Sequence, residues 1–213
     1  KNRISSTFSK YGLTLEEYSD MYGKKASEEL SKLLDQLPPQ TKYVTEALLQ
    51  QLDFVEEQID GMEKRLQELV KVTPAIQLLM TMPGVGFILA TAIAWEVGDI
   101  SRFASASRLA AYAGTTPRVH ASGDKVHYGQ MRSDVNHYLK WAFAEAGNSV
   151  ALNAKKAPVK HVSQLYQRIR DRKGHAKAVG AVSRHLAEAT FYILSKQEAY
   201  MDPVLKRSSS REV

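Results

Sequence analysis

The stretch RVHASGDKVHYG, Arg118 to Gly129, brings together residue types that suit chemistry on a phosphate. Ser122 precedes Gly123, with Arg118, His120, Lys125 and His127 close by and Arg132 just beyond. A serine hydroxyl is a weak nucleophile until something takes its proton and something else stabilises the charge growing on the phosphoryl oxygens. Arg118, Lys125 and Arg132 could clamp phosphate oxygens, and His120 or His127 could handle the proton. Gly123 would let a nucleic-acid strand approach closely. The plainer reading is Ser-Gly at an ordinary turn of a basic loop, and residue types alone leave both open. Tyr112 and Tyr128 are rival hydroxyl nucleophiles.

Other chemistries have less to work with. There is no HExxH pair and no cluster of carboxylates, and His120 with His127 across a hairpin would still lack further ligands, so no metal site is expected in this chain. No GxxxxGK[ST] loop is present for nucleotide hydrolysis. Cysteine is absent, which removes disulfides and thiolate zinc sites and fits a reducing compartment.

A second candidate is Pro83-Gly84-Val85-Gly86. Glycines beside a helix start let successive backbone N–H groups face outward and form an anion-binding concavity, so Gly84, Val85 and Gly86 are candidate contacts to a nucleic-acid backbone. The turn resembles that of a helix-hairpin-helix module; the alternative is a plain helical turn with the same local fold.

Charge points the same way. Residues 1–100 carry ten Lys/Arg against fifteen Asp/Glu, while residues 101–213 carry nineteen against eight and hold all six histidines. The overall +6 therefore hides a positive half, the field a polyanion-binding surface needs.

The elements that must position these residues read as mainly α. Residues 1–39 suggest short helices ending at Leu37-Pro38-Pro39. Residues 40–72 carry a heptad seam, Leu48, Leu52, Val55, Ile59, Met62, Leu66 and Leu69, which calls for a partner helix. A second copy of the chain is the favoured partner, and a hairpin with residues 14–36 the alternative. Residues 73–203 read as a compact helical domain. It opens with a helix, the PGVG turn and a helix burying Ile88, Leu89, Ala92, Ile93 and Val97. A short helix follows, capped at Ser101 or Ser105. Residues 113–131 are a β-hairpin or irregular loop. A helix from Ser133 places Val135, Tyr138, Leu139, Ala142, Phe143, Ala146 and Val150 on one face. Two last helices, 159–171 and 176–195, include the basic QRIRDRKG, and residues 204–213 are an expected disordered tail. No apolar run reaches the roughly 18 residues of a membrane span.

The order of motifs adds a resemblance. PGVG, DISRFASASRLAAYAGTTP, SGDK, YGQMRSDVNHYLKWAFAEA and LYQRIRDRKGHAKAVGAVSRHLAEATFYILSKQEAY, over about Met82 to Pro203, resemble the C-terminal transposase domain of the insertion-sequence 110/116/902 family of bridge-RNA-guided recombinases. The heptad helix resembles the coiled coil that joins that domain to a RuvC-like domain. The resemblance implies Ser122 as nucleophile, a covalent phosphoserine intermediate, and magnesium held by the RuvC-like domain, with no cofactor in this chain. It implies DNA and a guide RNA as partners, a dimer or tetramer, and a place in the prokaryotic cytoplasm near the nucleoid. The chain begins at Lys1 without methionine and KNRISSTFSKYGL resembles the trailing edge of the RuvC-like domain, so this piece alone is expected to be inactive. Val135 and Lys140 stand where many members carry glycine and arginine. A non-catalytic nucleic-acid-binding adaptor is the rival reading.

Overall fold

Pro39 fixes φ at the first position of the longest helix, where its missing N–H costs nothing, and no further proline interrupts the chain until Pro74. The computed structural model describes residues 1–14, 21–23, 26–122 and 125–203. Gly123 and the tail 204–213 lie outside the described residues, and at 119–128, 130 and 131 the backbone alone carries the description, Gly123 and Asp124 excepted. The chain divides into two compact units, Lys1–Lys71 and Val72–Val213. It is mainly α.

The first unit holds α1 (Asn2–Lys10), α2 (Ser27–Asp35) and α3 (Pro39–Leu69). Ile4, Phe8, Leu30 and Leu37 form its small core, and Leu48 and Leu49 of α3 pack against them. Beyond that point the cover is partial: Leu52 and Leu66 are half-buried, while Val55, Ile59, Met62 and Leu69 are half to two-thirds exposed. The helices of the same chain thus satisfy only the first part of the heptad stripe. Gly61 does not break α3, although a mid-helix glycine costs about 1 kcal/mol.

The second unit begins with α4 (Pro74–Leu79), whose N-cap Thr73 accepts from Ile76 N, and α5 (Phe87–Val97). A 3-10 turn, Ile100–Arg102, is capped by Asp99, and α6 (Ala106–Tyr112) is capped by Ser105, whose hydroxyl accepts from Arg108 N. Of the two candidate serines, Ser105 therefore holds the cap. The antiparallel pair β1 (Pro117–Ser122) and β2 (Lys125–Met131) follows, then α7 (His137–Asn153), α8 (His161–Lys173) and α9 (His175–Lys196).

The last helix is the spine of this unit: α4, α6, α7 and α8 all lean on it. Close crossing with α7 depends on Gly147, where a Cβ would come within 2.7 Å of Ser183 Oγ and 3.1 Å of Val179 O. Leu139, Phe143, Leu186 and Val182 are fully buried around that crossing, each burial contributing on the order of 2 kcal/mol. Two expectations shift. Helix α7 starts at His137, because the side chain of Asn136 caps it by accepting from Leu139 N. Tyr138 accordingly falls on the outer face, 69% exposed, instead of joining Leu139 in the core. On α5 the buried side chains are Ala90, Thr91, Ile93 and Val97, with Ile88, Leu89 and Ala92 only half-buried.

Candidate nucleic-acid interface

The expected hairpin is present, and its register defines the geometry. Ser122 ends β1 opposite Lys125, His120 pairs with His127, and Val119 with Tyr128. Gly123 and Asp124, between the strands, lie outside the described residues. Opposed positions share a face of a ribbon, as do alternate ones, so Ser122, His120, Lys125 and His127 occupy backbone positions on one face. Register thus places Ser122, His120, His127 and Lys125, residues singled out from the sequence, toward one end of the ribbon.

A bulge lies at the other end. Pro117 opposes Met131 while Val119 opposes Tyr128, leaving Arg118 against both Gly129 and Gln130. Such an extra residue bends a strand and re-aims the side chains beside it. Arg118 donates to Ser133 Oγ at 3.5 Å, and Arg132 grips Asp134 through Nε at 3.2 Å and Nη2 at 2.5 Å. The Arg132 guanidinium holds the Asp134 carboxyl down at about 2. Both arginines are exposed, but two of the N–H groups of Arg132 are committed to Asp134.

The ribbon packs chiefly on itself. What fixes it is a polar knot at its base that the sequence reading did not find. Asn136 donates through Nδ2 to Glu96 Oε2 at 2.6 Å and lies 3.3 Å from Tyr112 Oη, and its backbone N–H donates to Tyr112 O at 2.9 Å. Arg102 lies over the rings of Phe103 and Tyr112, at 4.7 and 4.9 Å. The Asn136 amide, and after it Arg102, lower the Tyr112 hydroxyl below its ordinary value. One sequence signal pointed here: Glu96 is the lone charge of the apolar helix FILATAIAWEV. Close packing completes the base. Gly114 has φ +66 and its missing Cβ would sit 2.6 Å from Val135 Cγ2, with Lys140 Cδ at 3.3 Å.

At the PGVG turn the candidates separate. Gly84 has φ +78, and a Cβ there would meet the backbone oxygen of Ala146, so this glycine seats the turn on α7. Val85 is 6% exposed and belongs to the core. Only Gly86, the N-cap of α5, is exposed with open space before it. Close packing therefore accounts for two of the three residues proposed as backbone contacts.

Comparison with known proteins gives consistent similarities. Residues 76–164, from α4 through the hairpin to the start of α8, match the sequence model described as Transposase IS116/IS110/IS902 family. This stretch is similar to the transposase domain of that family. A transposase for insertion sequence element IS1111A from Coxiella burnetii is 28% identical over 203 residues, covering 93% of this chain and 54% of the relative. A protein of insertion element IS110 from Streptomyces coelicolor is 31% identical over 152 residues, 71% of this chain and 36% of the relative. A pilin gene-inverting protein from Moraxella bovis is 37% identical over 73 residues, 32% of this chain and 23% of the relative. The chain spans about half or less of the length of these relatives. The polar knot, the PGVG turn and the ribbon all fall inside the matched stretch, and no helix among the described residues is long and apolar enough to cross a membrane.

Proposed function

We propose that the chain is the coiled-coil and catalytic portion of a DNA recombinase that breaks and rejoins strands through Ser122. The observation that supports this most is the place of Ser122 at the far end of the ribbon, in register with Lys125 and two residues from the His120–His127 pair, within the stretch similar to a transposase domain. Ser122 Oγ attacks the phosphorus of a phosphodiester, and the bond from phosphorus to the 3′ oxygen breaks. The hydroxyl proton passes to His120 or His127, and the departing 3′ oxygen takes a proton to leave as a hydroxyl. The 5′ phosphate stays esterified to serine. In the second step the 3′ hydroxyl of another strand attacks that phosphorus, loses its proton, and Ser122 Oγ leaves and regains one. One ester replaces another at each step, so no external energy source is required. Lys125, opposite Ser122, stabilises the charge on the phosphoryl oxygens; Arg118, at the other end of the ribbon beside Ser133, and Gly86 at the α5 N-terminus contact the backbone farther along the strand.

The intact protein takes its target from a guide RNA and works as a dimer or tetramer. Support for self-association comes from the uncovered seam Val55, Ile59, Met62 and Leu69, a stripe that a second α3 would bury. Magnesium belongs to the same family expectation, held by a RuvC-like domain. The described residues bring no three His, Cys, Asp or Glu side chains together, so they do not fit that ion and no step is routed through it here. The rival adaptor reading uses the PGVG turn and the basic helices; at the turn, Gly84 packs against Ala146 and Val85 is buried, and a trapped covalent protein–DNA adduct, which an adaptor does not form, separates the two readings.

The deciding experiment uses the full-length protein with its guide RNA and DNA partners. Ser122→Ala is expected to abolish strand joining and the trapped covalent protein–DNA adduct while DNA binding persists. An alanine variant that still joined strands would remove Ser122 from the role.

A further inference from the structure

The exposed cations of α8 have not been used by any of the chemistry above. Residues 155–177 contain eight Lys/Arg and a single acidic residue, Asp171. Elsewhere among the described residues several basic side chains are answered by a carboxylate: Lys42 by Asp35, Arg65 by Glu68, Arg132 by Asp134 and Arg184 by Glu188. On α8 only Arg170 is answered, by its neighbour Asp171. Arg168, Arg172, Lys173 and Lys177 are exposed and make no ion pair or side-chain hydrogen bond. Arg168 and Arg172 are four residues apart on one helix face, where like charges repel and weaken a helix. A face that served only solubility would interleave its charges with acids at that spacing. Favourable placement of cations at the helix C-terminus accounts for Arg172 and Lys173 but not for Arg168, a turn earlier, or for Lys177 on the next helix.

We infer that the elbow joining α8 to α9 is a second nucleic-acid-binding face, separate from the ribbon, that grips the phosphate backbone of double-stranded DNA without reading sequence. Two features choose the occupant. Charge without acids selects a polyanion, with one counterion released for each phosphate neutralised. Exposed Phe, Tyr and Trp are missing from the elbow: Tyr166 of α8 is 6% exposed and lies under Arg170, and the exposed imidazole of His175 is held by the Tyr166 hydroxyl at 2.9 Å. Surfaces that hold unpaired strands combine cations with rings on which bases stack, so this one suits a closed duplex. Gly174, at φ +83, turns the chain within one residue, so that Arg172 and Lys173 end one helix and Lys177 lies in the first turn of the next. Preferring DNA to RNA rests on the recombinase reading; binding to duplex phosphates does not.

The test compares the 213-residue chain with the triple variant R168Q/R172Q/K173Q and with K64Q/R65Q/K71Q, which removes the same charge from the first unit. Binding to a labelled DNA duplex of about 30 base pairs is measured from about 50 to 200 mM salt, beside an RNA duplex of equal length. The α8 variant is expected to lose about tenfold or more in affinity near 0.1 M salt, and its slope of log affinity on log salt to flatten by about 2 to 3. The control should lose little of either. The variant R168K/R172K, with its charges kept on a different head group, should bind nearly as the parent does, which separates charge from damage to the fold. An unchanged slope in R168Q/R172Q/K173Q, an equal loss in the control, or a loss confined to RNA overturns the inference while leaving Ser122 untouched. A parent chain that bound no DNA at any salt would overturn this face, while the Ser122 reading would stand or fall on strand joining by the full-length protein.

Discussion

Asn136 donates its side-chain amide to Glu96 Oε2 at 2.6 Å, joining residues forty positions apart in the chain. The same side chain accepts from Leu139 N, and the same residue's backbone N–H donates to Tyr112 O. One residue thus starts α7, ties it to the end of α5 and α6, and closes the strand pair that begins five residues after Tyr112.

Replacing Asn136 separates those duties. Asn136→Ala loses the cap and leaves a half-buried carboxylate without its donor, and a cost of about 2 to 3 kcal/mol is expected by urea unfolding. Asn136→Asp keeps a capping oxygen but sets it against Glu96, so it should be no more stable than the alanine variant. An aspartate variant as stable as the parent would show that the Glu96 contact contributes nothing.

The two glycines of the PGVG turn should behave oppositely. Gly84→Ala places a Cβ against the backbone oxygen of Ala146 at a positive φ, and is expected to cost about 2 to 4 kcal/mol because α7 cannot move aside cheaply. Gly86→Ala meets open space at φ −91 and should stay within about 0.5 kcal/mol of the parent. Thermal unfolding of the pair checks both.

A pH dependence is expected from the ring cluster where the chain folds back after α9. The rings of His185 and His161 lie 4.9 Å apart, and Tyr200 Oη is 3.3 Å from His185 Nε2 and 3.1 Å from Asp202 Oδ1. Burial, and then His161, lower His185 below its ordinary value of 6.5, against the smaller opposing pull of Glu188 and Asp202. With a depressed folded value the unfolded chain binds more protons, so stability is full above about pH 6.5 and falls as pH drops toward the folded value. His185→Gln should flatten the stability profile in that window. The Arg132–Asp134 pair titrates separately, its contribution being lost between about 3.8 and about 2.

Asp202 caps α8 from a distance, accepting from His161 N at 3.1 Å as well as from Tyr200. Asp202→Ala is expected to lower stability by about 1 to 2 kcal/mol and to speed amide exchange in the first turn of α8 before that of α9. Uniform acceleration across both helices would contradict the local role.

On α3, Ile59→Lys with Met62→Lys should abolish self-association without lowering helix content by much, since both side chains are half exposed or more in the single chain. Sedimentation of parent and variant over a range of concentrations reads this directly.

Much of this architecture could be read from the chain because short-range physics dictates it. Proline and glycine placed the ends of α3, α5 and α8, the heptad spacing announced α3, and alternating residues around Ser-Gly-Asp announced the ribbon. The proposed site was legible as far as local pairing goes, since Ser122, His120, Lys125 and His127 are brought to one face by a two-strand register. Long-range partners were not legible. Nothing in the pattern shows that Gly84 faces Ala146, that Val85 is core, or that Asn136 reaches Glu96. Tyr138 shares the apolar period through its spacing of four from Ala142, yet in the first turn of α7 it is exposed, and the Asn136 cap has no visible partner in the sequence because Glu96 is forty residues away. The seam of α3 was read as uniform, yet α1 and α2 cover its beginning and leave its end bare.

The ribbon behaves as a lever. Six residues of β1 reach roughly 20 Å from a base that is knotted to the helices, while the remainder is braced mainly by its own partner strand. A tilt of about 10° at the base therefore sweeps the far end through about 3 Å, and displacements near 1 Å already alter reaction rates about a hundredfold. Residues that never approach a phosphate, Asn136, Glu96 and Gly114 among them, can thus govern how fast the far end works by setting the angle at which it is held.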